Sequence, residues 1–378
     1  MRALRISATL FAFGGATVVA CAVYDSSLLL TTSSSSGDAG TIDAEAGSAT
    51  CAGERPPDRP AVDDPTSDPD LDVLVAVREI DLGLDAGTRN SFNLDGKCTC
   101  PESESCKPRS DAPKHCDDDA GRDNSASALL AKFAILGSEL NPSNVNERVA
   151  AGLTGLLIRI KRYNGTLNDR SVEISIYTSN GTKPTSDAGD AGQPLPTHDG
   201  KDMWIAAASA LQGGSGPPYV SKYVDQSAYV ANGVLVALLD FPLTLTGSFA
   251  AAFLQLRGTY VSAKLEKDSR GWVLHGGRMA GRWDTRNLLS AMQVIEDPLN
   301  KGSYLCGTNV TYQTFKKEIC KSADIASNPQ NDGLTDVGCD AISLGIGFDT
   351  DPAFLDGWED DTKDAKAPCG PGYTDSCE

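Results

Sequence analysis

Eleven cysteines in 378 residues constrain this chain more than any other feature. The first, Cys21, closes an apolar N-terminal stretch. The other ten are Cys51, Cys98, Cys100, Cys106, Cys116, Cys306, Cys320, Cys339, Cys369 and Cys377. Ten is even, and in an exported protein an even set reads as a framework of disulfides. Sequence alone does not choose the pairing. Proximity suggests that Cys369 and Cys377 staple the C-terminal tail, whereas Cys98 and Cys100 are too close to bond without strain. The competing reading is zinc, because Cys98, Cys100, Cys106 and Cys116 offer four thiolates in one short segment.

The N-terminus decides the compartment. Arg2 and Arg5 form a short positive region, Ile6 to Ala20 is apolar, and Val18-Val19-Ala20-Cys21 ends it. That pattern is a secretory leader, too short and wrongly flanked to span a bilayer. Its ending resembles the lipobox of bacterial lipoproteins. The resemblance implies cleavage after Ala20 and a diacylglycerol on Cys21, which together anchor the mature chain to a membrane without crossing it. Ala22, in place of Asp, implies the outer membrane under the sorting rule of some Gram-negative bacteria. The Ser-rich run that follows, with Asp-Ala-Gly recurring at Asp38, Asp85, Asp119, Asp187 and Asp190, reads as a flexible tether. The combination resembles the cysteine-bearing surface lipoproteins of myxobacteria, and this implies a location without an activity.

The formal net charge of −18 sits mainly at the two ends. Segments 31–72 and 349–378 are acidic and rich in small or turn-forming residues, so they read as solvated. The middle of the chain is nearly neutral, and no basic patch suits nucleic acid.

Period-2 alternation dominates that middle. Val73, Val75 and Val77 share one phase, as do Leu156, Ile158 and Ile160, and Val172, Ile174 and Ile176. Further strands are expected at 228–239, 243–246, 252–266 and 272–275. The phase of the third run changes between Leu256 and Val261, which predicts a bulge at Gly258. Helical spacing is rarer: 128–136 after Asn124 or Ser125 as cap, 284–295, and 311–325. The expected architecture is one mainly β domain over 71–357, an antiparallel β-sandwich of jelly-roll type with a few helical insertions. A division into two small domains within 182–201 is the alternative. Residues 1–20 would be the leader, 21–70 the anchored linker and 358–378 an acidic tail.

Catalytic signals are sparse. Glu79 and Asp81 share one face of a strand, and Glu79-Ile80-Asp81 resembles the Glu-x-Asp core of jelly-roll glucanases, which implies nucleophile and assisting roles. The chain has Gly83 and Leu84 where that family places its acid/base Glu, so the double displacement lacks a proton donor there. Ser343 loosely resembles a nucleophile elbow, but no His follows it; its neighbours Ile342, Leu344 and Ile346 predict a core strand. Asp117, Asp119 and Asp123 set oxygen ligands around Gly121 in a way that suits Ca²⁺ loosely. Trp204, Tyr219 and Tyr223, near Asp199 and Asp202, suit a carbohydrate platform. The expectation is therefore an outer-membrane lipoprotein whose β domain binds a glycan or an envelope protein, with a glycan hydrolase or a purely structural envelope protein as alternatives.

Overall fold

The computed structural model describes residues 53–65, 70–84, 90–100, 104–136, 142–183, 195–214, 216–246, 251–361, 368–370 and 372–378. Cys21 and Cys51, with the segments expected to be leader and most of those expected to be tether, lie outside these residues.

Twelve strands and four α-helices occur among the described residues. In chain order the strands are β1 (Leu71–Asp81), β2 (Cys106–Lys107), β3 (Gly155–Tyr163), β4 (Asp169–Thr182), β5 (Met203–Ala207), β6 (Tyr223–Ala231), β7 (Val234–Thr246), β8 (Ala251–Lys267), β9 (Trp272–Asp284), β10 (Leu334–Gly338), β11 (Ala341–Pro352) and β12 (Phe354–Glu359). The helices are α1 (Ser125–Leu136), α2 (Pro142–Ala150), α3 (Thr285–Ala291) and α4 (Val310–Lys321).

The mainly β expectation holds; the jelly-roll sandwich is corrected. Strands run β4-β3-β1-β11-β9-β8-β7-β6, and β6 pairs back onto β4, closing an antiparallel barrel of eight. Alternation of inward and outward residues is the same in a sandwich and a barrel. What separates them is the long-range pairing of Val172 with Ala228 and Ile174 with Asp225, which no local pattern reveals.

The predicted runs face inward as expected. Val73, Val75 and Val77, Ile158 and Ile160, Val172 to Ile176, and Ile342 to Ile346 contribute to one apolar cluster that fills the barrel. Burying each such side chain contributes roughly 1.5–3 kcal/mol. Two details of register match or amend the reading. The bulge at Gly258 is present: registers shift opposite Leu239/Phe241 and Arg257/Tyr260, Gly258 has φ +52°, and its N–H donates to Asp240 at 2.7 Å. The run 228–239 is two strands, because Asn232 and Gly233 both take positive φ and make a two-residue hairpin turn between Ala231 and Val234.

Both ends of the barrel are closed. At one, Tyr163 and Trp272 meet edge to face, ring centres 5.2 Å apart. At the other, α2 touches β1 and β7, which stand on opposite sides of the ring. Its Asn146 amide completes the strand ladder, accepting from Ile80 N–H at 2.8 Å and donating to Ile80 C=O at 2.9 Å. Phe133 of α1 and Phe315 of α4 pack edge to face at 4.8 Å and extend the same core.

A second, smaller core lies outside the wall. Beyond Ser179, β4 leaves β6 and pairs with β5, which carries β12 in parallel. Ala76, Leu157, Tyr177, Trp204, Ala206 and Leu211 pack in this layer.

Ordered packing starts earlier than residue 71. Glu54 N–H donates to Ala120 C=O, and Asp64 N–H to Asn168 C=O. The Arg59 guanidinium donates to the carbonyls of Arg170 and Ser227 and lies over the Tyr229 ring at 4.7 Å. Residues 53–65 are thus a strap laid on the barrel.

Four disulfides lock the loops: Cys100–Cys116, Cys106–Cys339, Cys306–Cys369 and Cys320–Cys377. Cys98 is disulfide-bonded as well. The expected Cys369–Cys377 staple is wrong: each bonds a separate partner near α4. The zinc reading fails for the same reason, since the thiolates it needs are consumed as disulfides. The C-terminus is docked, with Asp375 accepting from Tyr312 and Lys316 of α4 at 2.7 Å each.

Candidate functional site

Glu79 and Asp81 come to the outer face of the barrel because β1 carries a register shift between Val77 and Glu79. After it Ile80 and Leu82 point to the core, and the two acids point out. Glu79 stands directly across from Asp349 of β11, and Asp81 across from Gly347. Directly opposed residues hold their Cβ atoms roughly 4.5–5.5 Å apart, and two like charges at that spacing repel.

These groups line a cavity of about 410 Å³ with Asn90, Gly276, Gly277 and Arg278. Each wall has a physical cause. Asn90 lies over Gly347, where a Cβ would meet its amide at 3.0 Å, and its Nδ2 donates to Asp81 Oδ2 at 2.7 Å. Asp349 Oδ1 accepts from Gly276 N–H at 2.9 Å and stands 3.2 Å from His275 Nδ1. Arg278 stacks on Phe92 at 5.3 Å and is neutralised by Glu54 of the strap. Three carboxylates therefore face the opening, able to accept hydrogen bonds from hydroxyl or ammonium groups. Glu79 and Asp81 are exposed to solvent.

The carbohydrate platform is not assembled. Trp204 is 2% exposed, its ring lying where a Cβ on Gly155 would approach within 2.5 Å. Tyr219 packs beside it in the outer core, and its carbonyl accepts from Tyr177 Oη at 2.9 Å. Tyr223 is elsewhere, half-buried against the main core.

The calcium triad does not converge either. Asp119 is exposed on its turn. Asp117 accepts from Thr99 N–H at 2.7 Å, and Asp123, 4% exposed, accepts from Leu94 N–H at 2.6 Å. Among the described residues no group of three or more His, Cys, Asp or Glu side chains is arranged to hold a metal. Burial, opposed by the bond from Thr99 and by the contact with Asp123, pushes Asp117 up to about 6. Burial and the neighbouring Asp95 and Asp117 raise Asp123 well above the usual carboxylate range. Both shifts disfavour the charged forms that a calcium site would need.

Ser343 is a core-strand residue as expected, fully buried, its Oγ donating to Asp324 at 2.5 Å. Asp324 also accepts from Ser125 Oγ at 2.7 Å, which ties α1 to β11. Asp349, His275 and Asn90 were missed by sequence reasoning, since their meeting with Glu79 depends on cross-strand register.

No protein-family model matches this chain, and no curated protein or solved structure is significantly similar to it.

Proposed function

We propose that this chain is an exported lipoprotein, anchored through Cys21 to the outer membrane, whose disulfide-locked barrel acts as a non-catalytic binding module of the cell envelope. The observation that carries the reading is the oxidised framework, in which four bonds tie loops around the barrel, one across a separation of 233 residues. Such frameworks persist outside the cytosol. It agrees with the cysteine parity left when Cys21 is set aside. A core filled with side chains and closed at both ends leaves the outer surface and the loops to do the binding.

Intact mass spectrometry of the membrane fraction, with and without reduction, tests both halves. The expected masses show acyl chains on a chain beginning at Cys21 and a gain of two hydrogens per disulfide on reduction. A soluble chain with its leader uncut and its thiols free overturns the reading.

A glycan hydrolase is the second reading, favoured by Asp349 standing directly opposite Glu79 in the strand register, since such enzymes need a pair of facing carboxylates. Under that reading Glu79→Gln and Asp349→Asn each abolish turnover of an aryl glycoside. Absence of turnover by the unaltered chain removes it.

A further inference from the structure

Away from the carboxylate cavity, residues of β6, β7 and β8 and of the α3 segment line a second opening of about 520 Å³. Its volume falls among small-molecule sites. Phe241, Pro242, Tyr223, Asn287, Ser290 and Gln293 are among its walls. Two atoms on these residues lack any partner: Asn287 Nδ2, a donor, and Gln293 Oε1, an acceptor, both buried from solvent. Neighbouring polar groups are engaged. Asn287 N–H bonds Asp284 as part of the α3 cap, and Asp240 at the rim accepts from Gly258. An amide donor and an amide acceptor left unpaired on side chains that border a largely apolar cavity suit a ligand that offers one acceptor and one donor together.

We propose that this cavity binds the acetamido group of an N-acetylated sugar, its carbonyl accepting from Asn287 and its N–H donating to Gln293. The acetyl methyl lies against the apolar wall of Phe241 and Pro242, and the half-buried Tyr223 ring offers a face to the pyranose. Ser290 and Asp240 lie where ring hydroxyls can reach them. A terminal amide turns about its own side-chain torsion, so each group can swing into the opening when a partner arrives. The inference deepens the binding-module reading and rests on it, since an envelope protein meets N-acetylated sugars.

Saturation-transfer NMR and calorimetry on the full chain, with N-acetylglucosamine, glucose and N-acetylalanine methylamide as probes, test it. The expected result is roughly millimolar binding of N-acetylglucosamine, with glucose about tenfold weaker because it leaves both amide groups unmatched. Asn287→Asp, which turns the donor into an acceptor, and Gln293→Met, which keeps the length without the carbonyl, each weaken the sugar by about tenfold. Melting curves of both variants accompany the titrations; a variant that fails to fold is replaced by Tyr223→Leu, which must weaken the sugar in the same way. Equal binding of glucose, no N-acetylglucosamine signal at high millimolar concentration, preference for the blocked amino acid, or full binding by the folded variants overturns the proposal. Acyl and disulfide masses read on the same preparation keep the two readings apart: intact masses without sugar binding overturn the site alone.

Discussion

The guanidinium of Arg282 grips the carboxylate of Asp332 at two points outside the barrel wall, Nη1 to Oδ1 at 2.8 Å and Nη2 to Oδ2 at 2.7 Å. The same two nitrogens donate to the carbonyls of Ala326 and Leu94, and the arginine side chain is 2% exposed. One residue of β9 thereby holds two loops, the α4–β10 connection at two points and the segment of Leu94 at a third. Removing one partner of a buried pair strands the other charge, so Asp332→Ala should cost about 3–5 kcal/mol in urea unfolding. A loss under about 1 kcal/mol, the range of an exposed pair, contradicts that role.

Asp117 and Asp123 give the fold a pH dependence of defined sign. Burial raises Asp117 from its ordinary value of 3.8 to about 6 and lifts Asp123 in the same direction. The folded state then binds protons that the unfolded chain releases, so stability falls as pH rises from about 4 through 6. Thermal unfolding should show a higher midpoint at pH 5 than at pH 7.5. Asp117→Asn should flatten that difference, and an unchanged difference would remove the pair as its source.

Loop length ranks the disulfides. Cys106–Cys339 closes a separation of 233 residues and Cys100–Cys116 one of 16. Loop-closure entropy makes the longer bond worth more, with each native disulfide contributing about 2–5 kcal/mol. Paired Ser replacements compared by denaturant midpoint should lose more at Cys106/Cys339. Equal losses would mean that local strain or residual structure outweighs chain entropy.

Cysteine parity makes a mapping prediction. Eight cysteines pair among themselves and Cys98 is bonded too, so only Cys21 and Cys51 remain to complete the set. If Cys21 carries lipid, peptide mapping under non-reducing conditions should recover Cys51 joined to Cys98. Recovery of Cys51 as a free thiol would break this inference and weaken the anchor with it.

Trp204→Ala should act on stability and not on glycan retention. Emptying a fully buried Trp site costs about 3–5 kcal/mol. Retention on a glycan array that vanishes in this variant while its melting point stays put would restore a surface role.

Much of the barrel was legible because its strands carry their burial in their own alternation: Val73 to Val77, Ile158 with Ile160, and Ile342 to Ile346 all point where their phase says. The helix expected over 284–295 is present but shorter, Thr285–Ala291, with Asp284 as its cap, accepting from the N–H groups of Arg286 and Asn287. Closure was not, because it depends on which strand β6 finds. The split at Asn232-Gly233 was hidden by apolar continuity on both sides, although the dipeptide itself is a turn signal. The candidate sites were least legible. Glu79 meets Asp349 through register, and Asn287 and Gln293 border a cavity only because their segment packs against residues of β7 and β8, which no spacing in the sequence encodes.

Strand β4 has two successive partners, β6 along its first half and β5 beyond Ser179. The circumference of the ring and the seating of the outer flap are therefore ruled off the same length of chain. A slip of one residue would turn Val172, Ile174 and Ile176 outward and at the same stroke carry Tyr177 away from its outer neighbours, so neither layer can settle into a wrong alignment while the other stays right.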